Sequence, residues 1–178
     1  SGIAIALLWV WLYNNQFGLI NYLLEGIGLP KVSWLGDKRF AMPAIIIMSI
    51  WRGLGYNMVL FLAGLQGIAQ EYYEAAKIDG ANRWQNFWHI TLPLLSPTTF
   101  LVLVLSMIGS FQVFEATYVM TQGGPNYATY TMVLYIFFSG FQWFRMGYAS
   151  ALAYMLFAII LILTLLQVRL EKRWVHYS

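Results

Sequence analysis

The 22 residues Gly147–Val168, GYASALAYMLFAIILILTLLQV, contain no Asp, Glu, Lys, Arg or His. At 1.5 Å per residue such a helix covers about 33 Å, enough to cross the hydrocarbon core of a bilayer. The stretch runs into Arg169, Glu171, Lys172, Arg173 and Trp174, the basic and aromatic edge expected at a membrane surface. The rest of the chain agrees. Of 178 residues, 60% are apolar, 18% aromatic and only 10% charged, against ~25% charged in an ordinary soluble domain. Such a chain cannot cover a soluble surface. Disorder is excluded, because disordered segments are charged and poor in aromatics. The absence of Cys excludes a disulfide scaffold, a thiol nucleophile and a Cys-ligated metal. A net charge of +3, scattered along the chain, gives no sign of nucleic acid.

Two further segments are long enough to span. Ala41–Gln66 carries Pro43 near its start and one charge, Arg52. Thr98–Met120 follows Pro93 and Pro97 and holds one charge, Glu115. The chain opens at Ser1, and Gly2–Tyr13 is apolar but shorter than the ~20 residues a span needs. It reads as the end of an earlier span, residues 1–13. Met132–Phe144 is rich in aromatics but short, and reads as a helix lying at the interface. The expected fold is an all-α integral membrane protein. It is a polytopic helical bundle of three full spans (41–66, 98–120, 147–168) and the end of another.

Between the spans the chain is polar and rich in turn signals. Asn14–Phe40 holds Gly28-Leu29-Pro30 and Asp37-Lys38-Arg39, and residues 121–146 open on Gly123-Gly124-Pro125-Asn126. Residues 67–97 carry Glu71, Glu74, Lys77, Asp79, Arg83 and His89. Here the residues read as a short helix stopped at Asp79-Gly80, where glycine suits the left-handed position after a helix. A second helix, Asn82–His89, then ends before Pro93. A charged helix–turn–helix between two spans must face water or another protein. Lys and Arg are distributed almost evenly between the two sides, so charge alone does not orient the chain.

Glu74-Ala75-Ala76, three residues, Gly80, nine residues, Ile90, one residue and Leu92-Pro93 together resemble the EAA loop of permease subunits of binding-protein-dependent ABC importers. The flanks Trp51-Arg52-Gly53-Leu54-Gly55, Ala63-Gly64-Leu65, Thr121–Pro125 and Gly147–Ala151 are similar to the sugar branch of that family, the maltose-type and glycerol-phosphate-type permeases. The resemblance covers essentially the whole chain. It implies a permease lacking its first two spans and most of the third, lying in a bacterial or archaeal plasma (inner) membrane. It implies that residues 67–97 are a cytoplasmic coupling loop docking on an ATP-hydrolysing subunit. Glu71, Glu74, Ala75, Ala76, Asp79, Gly80, Ile90, Leu92 and Pro93 would make that contact. The residues alone also allow an ordinary capped surface helix. Further partners implied are a second permease, an extracytoplasmic solute-binding protein and membrane lipid, but no nucleic acid. No Gly-x-x-x-x-Gly-Lys run is present, so the chain offers no Walker-type nucleotide loop. No catalytic constellation, cofactor site or metal site is expected.

Charges inside spans are costly and usually functional. Arg52 and Glu115 lie at similar depth, about 21 Å from Gln66 and 26 Å from Thr98 along straight helices. They would pair with each other or line a polar path. Ser49, Arg52, Gly53 and Tyr56 share one helix face, with Asn57 beside them, and Ser106 and Ser110 share another, with Gln112 following. Packing of small polar residues between helices would use the same pattern. By resemblance, the sugar-contacting positions of maltose-type permeases fall on Ser49, Arg52, Gly53, Tyr56, Ser106, Gly109 and Ser110. Arg52, Gly109 and Ser110 depart from the apolar, aromatic and amide groups of that pattern. Residues 121–146 would face outward, with Gly123, Gly124 and Pro125 forming a protruding turn against the binding protein, or would simply connect two spans. The function implied is an ATP-driven carbohydrate importer; the alternatives are a non-sugar solute or a membrane assembly protein without transport.

Overall fold

Every regular element among the described residues of the computed structural model, 1–172 and Val175, is helical. The expected membrane edge at Arg173 and Trp174 lies outside the described residues. The elements are α1 (Gly2–Leu12), α2 (Leu19–Gly26), α3 (Ala41–Gln66), α4 (Gln70–Ile78), α5 (Arg83–Asn86), α6 (Leu92–Leu94), α7 (Ser96–Phe111), α8 (Glu115–Met120), α9 (Met132–Phe137) and α10 (Met146–Glu171). π-Helical turns occupy Phe87–Thr91 and Phe138–Gln142. Two helices, α3 and α10, are long and apolar enough to cross a membrane unaided. Their large apolar side chains, such as Ile50, Leu62, Leu161 and Leu165, are mostly exposed, which a soluble helix facing water does not tolerate over its whole length.

The helices fall into two compact units, Ser1–Gly53 with Ser110–Ala158, and Leu54–Gly109 with Ile159–Ser178. The first has its core where α1, α3 and α8 meet. Trp9 and Tyr13 pack with Ile45, Met48 and Met120, and Ala6, Ala44 and Ala116 are small enough for close helix approach. The Tyr13 hydroxyl donates to the Ala44 carbonyl at 3.0 Å in this interior, and Trp9 stacks obliquely on Tyr13.

Asn14–Phe40 is held by one buried side chain, Asn21 on α2. Its amide nitrogen donates to Val32 O at 3.0 Å. Its oxygen accepts from Val32 N–H and from Trp34 Nε1, both at 3.1 Å. The loop enters α3 through Asp37, whose carboxylate accepts from the Arg39 guanidinium at 2.7 Å and from the Arg39 backbone at 2.9 Å. These bonds, the side-chain one foremost, hold the Asp37 carboxyl down at about 2.

The stretch expected as one span, 98–120, is corrected by the structure. α7 stops at Phe111 and α8 starts at Glu115. The break is stabilised by hydroxyls that take over freed carbonyls: Thr131 Oγ1 donates to Val113 O at 2.8 Å, and Thr117 Oγ1 to Phe114 O at 3.0 Å. Irregular backbone at membrane depth requires such substitutes. α9 and its π-helical turn form a short apolar helix, Met132–Gln142, below the length of a span.

In the second unit, Gly64 of α3 lies so close to α7 that an added Cβ would collide with Thr98 Oγ1. The helix expected to end before Pro93 instead continues through it, a second correction. Proline lacks an N–H and its ring clashes with the carbonyl four residues back. The π-helical turn widens the helix there, with Leu92 N–H bonding Phe87 O. The chain then bends by 60° between Arg83–Leu94 and Ser96–Phe111.

Candidate functional site

Residues 67–94 build a rigid elbow from local signals. α4 ends in a Schellman arrangement: Gly80 N–H bonds Lys77 O at 3.2 Å and Ala81 N–H bonds Ala76 O at 2.9 Å. Gly80 takes φ +78°, the conformation that costs other residues most. α5 begins with a capping box. Asn82 Oδ1 accepts from Gln85 N–H at 2.9 Å, and Gln85 Oε1 accepts from Asn82 N–H at 2.8 Å. Thr91 Oγ1 donates to Asn86 O at 3.4 Å, so in the 2.9 Å contact between Tyr73 OH and Thr91 Oγ1 the tyrosine donates. That bond ties α4 to the second arm.

The elbow presents its surface outward. α4 has no buried residue. Glu71, Glu74 and Ala75 are exposed, and Ala76 is half-buried. Glu74 Oε1 accepts from Gln70 Nε2 at 2.9 Å. Ile78 is 87% exposed and Trp84 70%, so apolar side chains stand beside the carboxylates. Such a mixture fits a protein partner better than open water. Ile90 and Pro93 are half-buried and Leu92 exposed, at the root of the second arm.

Among the residues expected to line a path, the structure brings Arg52 and Glu115 together, with Nη1 and Oε2 3.5 Å apart. The site draws on a third element that sequence reading missed. Gly2 on α1 sits so close that a Cβ would collide with Glu115 Oε2 and reach Arg52 Nη1 at 2.8 Å. Ser49 and Gly53 are half-buried on α3 in the same unit, and Ser110 and Gln112 are exposed. Tyr56, Asn57, Ser106 and Gly109 belong to the other unit.

The turn at 123–125 is less protruding than expected. Gly123 is buried, at φ +85°, under the Tyr130 ring and Leu134, and Gly124 and Pro125 are half-buried. The exposed tip is Gln122, Asn126 and Tyr127, all with positive φ. It is stapled from beneath by Thr129, whose hydroxyl lies 2.6 Å from that of Thr121 and donates to Gly124 O at 2.8 Å. A concavity of about 210 Å³ lies on the 14–40 loop, lined by Tyr13, Asn14, Ser33 and Trp34 among others. Among the described residues, no three His, Cys, Asp or Glu side chains gather to hold a metal. Of the features that went unread, the Asn82-x-x-Gln85 capping pattern was visible locally; the Tyr73–Thr91 bond and the approach of Gly2 to the Arg52–Glu115 pair join distant residues.

Two apolar helices of spanning length, the first followed by a stiff, charged elbow, define an all-helical membrane protein. Residues 2–176 match the family described as "Binding-protein-dependent transport system inner membrane component", and the chain belongs to that family. It is 40% identical over 181 residues to the probable ABC transporter permease protein YesP of Bacillus subtilis, covering 100% of this chain and 58% of YesP. It is 39% identical over 157 residues to the arabinooligosaccharides transport system permease protein AraP of Bacillus subtilis, covering 88% of this chain and 50% of AraP. It is 38% identical over 175 residues to the sn-glycerol-3-phosphate transport system permease protein UgpA of Brucella abortus, covering 97% and 59%. Among solved structures, a bacterial ABC transporter involved in the import of the acidic polysaccharide alginate superposes with a TM-score of 0.87 at 30% identity, over 97% of this chain and 61% of that one. The chain thus spans between half and three-fifths of the length of these relatives.

Proposed function

We propose that this chain forms part of the translocation path of an ATP-driven carbohydrate importer and is coupled through the 67–94 elbow to separate ATPase subunits. The observation that carries the reading is the elbow itself. Its two arms are locked by a Schellman turn, a capping box and the Tyr73–Thr91 bond. Its exposed face holds the Glu74-Ala75-Ala76 motif. A stiff arm transmits displacement, whereas a loose loop would absorb it. Closure of the ATPase pair pulls the elbow, and α3 and α7, which flank it in sequence, rock with it. The names of AraP, UgpA and the alginate importer support a carbohydrate or sugar-phosphate-like solute. The alginate importer has been solved with a periplasmic protein bound to an alginate pentasaccharide, which supports an external binding protein here. Gln122, Asn126 and Tyr127, above the buried Gly123, would meet it. The second permease completes the path.

The decisive experiment combines Glu74→Lys with Gly80→Pro in the full transporter. We expect ATP-coupled uptake to disappear while the permease still inserts in the membrane. Uptake that survived would remove the coupling role.

In this reading Arg52 and Glu115 act as a pair on the path. Arg52→Met and Glu115→Gln should each reduce solute uptake, because each leaves one charge without its partner. The double variant should recover about tenfold relative to the product of the single losses, a coupling in the range found for residues in contact. Losses that simply multiply would show that the two side chains act separately.

A further inference from the structure

The second arm of the elbow, Arg83–Leu94, has two unlike sides. Gln85, Asn86, His89 and Ile90 meet α4 across a notch completed by Ala76 and Asp79, and Thr91 is bonded to Tyr73 of α4. Trp84, Phe87 and Trp88 follow the i, i+3, i+4 spacing of a single helix face. At about 3.6 residues per turn that face lies opposite the notch, away from α4. Its rings pack on one another with centroids 6.2, 5.9 and 5.6 Å apart. Nothing covers them: Trp84, Phe87 and Trp88 are 70%, 43% and 48% exposed, and Leu92 beyond them 40%. The arm contains no Asp or Glu, and Arg83 at its start is its one Lys or Arg. α4, by contrast, carries Glu71, Glu74 and Lys77. The two arms therefore present different chemistry.

The depth of this face follows from the chain. The arm runs into α7 through a bend of 60°, and the two helices together have the length and composition of a span. At about 1.5 Å per residue Trp88 stands about 12 Å from Ser96 along the arm. The 60° bend projects half of that, about 6 Å, onto the axis of α7. The headgroup layer outside the hydrocarbon is about 5–8 Å thick. With the span starting at Ser96, Phe87 and Trp88 fall within that layer. Trp84, about 9 Å out, reaches its water edge, where the two surfaces of the elbow meet. Indole rings favour this layer, and a cation beside them suits anionic headgroups. We propose that the aromatic face of Trp84, Phe87 and Trp88 seats the second arm in the lipid headgroup layer, so that the elbow pivots on a membrane anchor. This surface is separate from the Glu74 side, and it stands whether or not that side meets an ATPase. Seated rings let the arm tilt but hold it at fixed depth, so a pull on α4 reaches α7 as rotation.

The test attaches a nitroxide through Phe87→Cys, Trp88→Cys or Ile78→Cys, one at a time. The host is the full-length transporter, freed of other cysteines, in vesicles of phosphatidylethanolamine and phosphatidylglycerol. Collisions with lipid-soluble oxygen are compared with collisions with a water-soluble nickel chelate. The oxygen-to-chelate ratio at positions 87 and 88 should exceed that at position 78 severalfold, with the ATPase bound or stripped. A ratio no higher than at position 78 puts the face in water and overturns the proposal. Protection from both reagents, in either state, means that a protein surface covers the face and overturns it equally. Position 78 reads the docking role separately: its chelate collisions fall on ATPase binding if docking holds, whatever positions 87 and 88 show. A second readout leaves two of the rings and adds no label. The emission removed by Trp88→Phe should be emission that lipids brominated near the headgroup quench, and emission indifferent to those lipids also overturns the anchor.

Discussion

Replacing Asn21 with leucine is expected to lower stability by about 4 kcal/mol, the largest loss for any single change in the Asn14–Phe40 loop. Asn21 is 1% exposed and serves three partners: Val32 O, Val32 N–H and Trp34 Nε1–H. Leucine keeps the branched outline, is bulkier, and removes every bond. Each buried group left without a partner costs ~1–3 kcal/mol, and leucine's better transfer free energy offsets only part of that. The damage spreads. Trp34 packs on Tyr13 at 5.4 Å and on Phe40 at 6.1 Å between ring centroids. Once its indole is released, the lining of the concavity over Tyr13 and Ser33 is lost with it. Asn21→Asp should fall between leucine and the native residue, because it keeps the acceptor for Val32 N–H and Trp34 but sets a carboxylate against Val32 O. Thermal unfolding and limited proteolysis around Val32 in detergent would rank the three. Equal stability of the leucine and native proteins would mean that the loop does not depend on this amide.

How far the sequence could be read follows from the range of the interactions. α3 begins and ends where expected, at Ala41 and Gln66, because its limits depend on transfer free energy, a local sum over side chains. The elbow was legible for the same reason. Gly80 as a helix stop and the charges of α4 act within a few residues. Pro93 was misread because a proline normally ends a helix; the π-helical turn before it lets the chain continue. The interruption at Gln112–Phe114 was beyond reach, since the hydroxyl that holds Val113 O belongs to Thr131, 18 residues away. Asn21 reaches 11 residues to Val32. The Arg52–Glu115 contact was legible as a possibility, because both charges sat at similar depth. That Gly2 closes over it was not, because a glycine at the start of an apolar run looks like any other. Sequence reading thus recovered what local composition decides and missed what one distant hydroxyl or amide decides.

The same contrast gives a sharper expectation at two glycines. Gly80 and Gly123 both hold left-handed backbone, φ +78° and +85°. A Cβ at Gly80 would meet nothing within 4 Å, whereas one at Gly123 would collide with Tyr130 Cδ2 and lie 2.6 Å from its Cε2. Gly80→Ala should therefore cost only the backbone term, ~1–2 kcal/mol. Gly123→Ala carries that term plus overpacking of ~1–3 kcal/mol, about 4 kcal/mol in total. Neither side of the collision yields easily. Tyr130 is held by ring contacts with Tyr127, Tyr135 and Phe138 at 5.2, 5.9 and 5.6 Å. Gly123 is held by its N–H to Thr117 O at 3.4 Å and by Thr129 N–H to its own carbonyl at 3.3 Å. Thermal unfolding of the two alanine variants should show Gly123→Ala losing about twice as much stability, or more, than Gly80→Ala, as the backbone and packing costs together imply. Equal losses would show that Tyr130 moves aside freely. The functional consequences should be reversed in place: Gly80→Ala disturbs the elbow proposed above to meet the ATPase, while Gly123→Ala displaces the exposed Asn126–Tyr127 tip proposed to meet the binding protein.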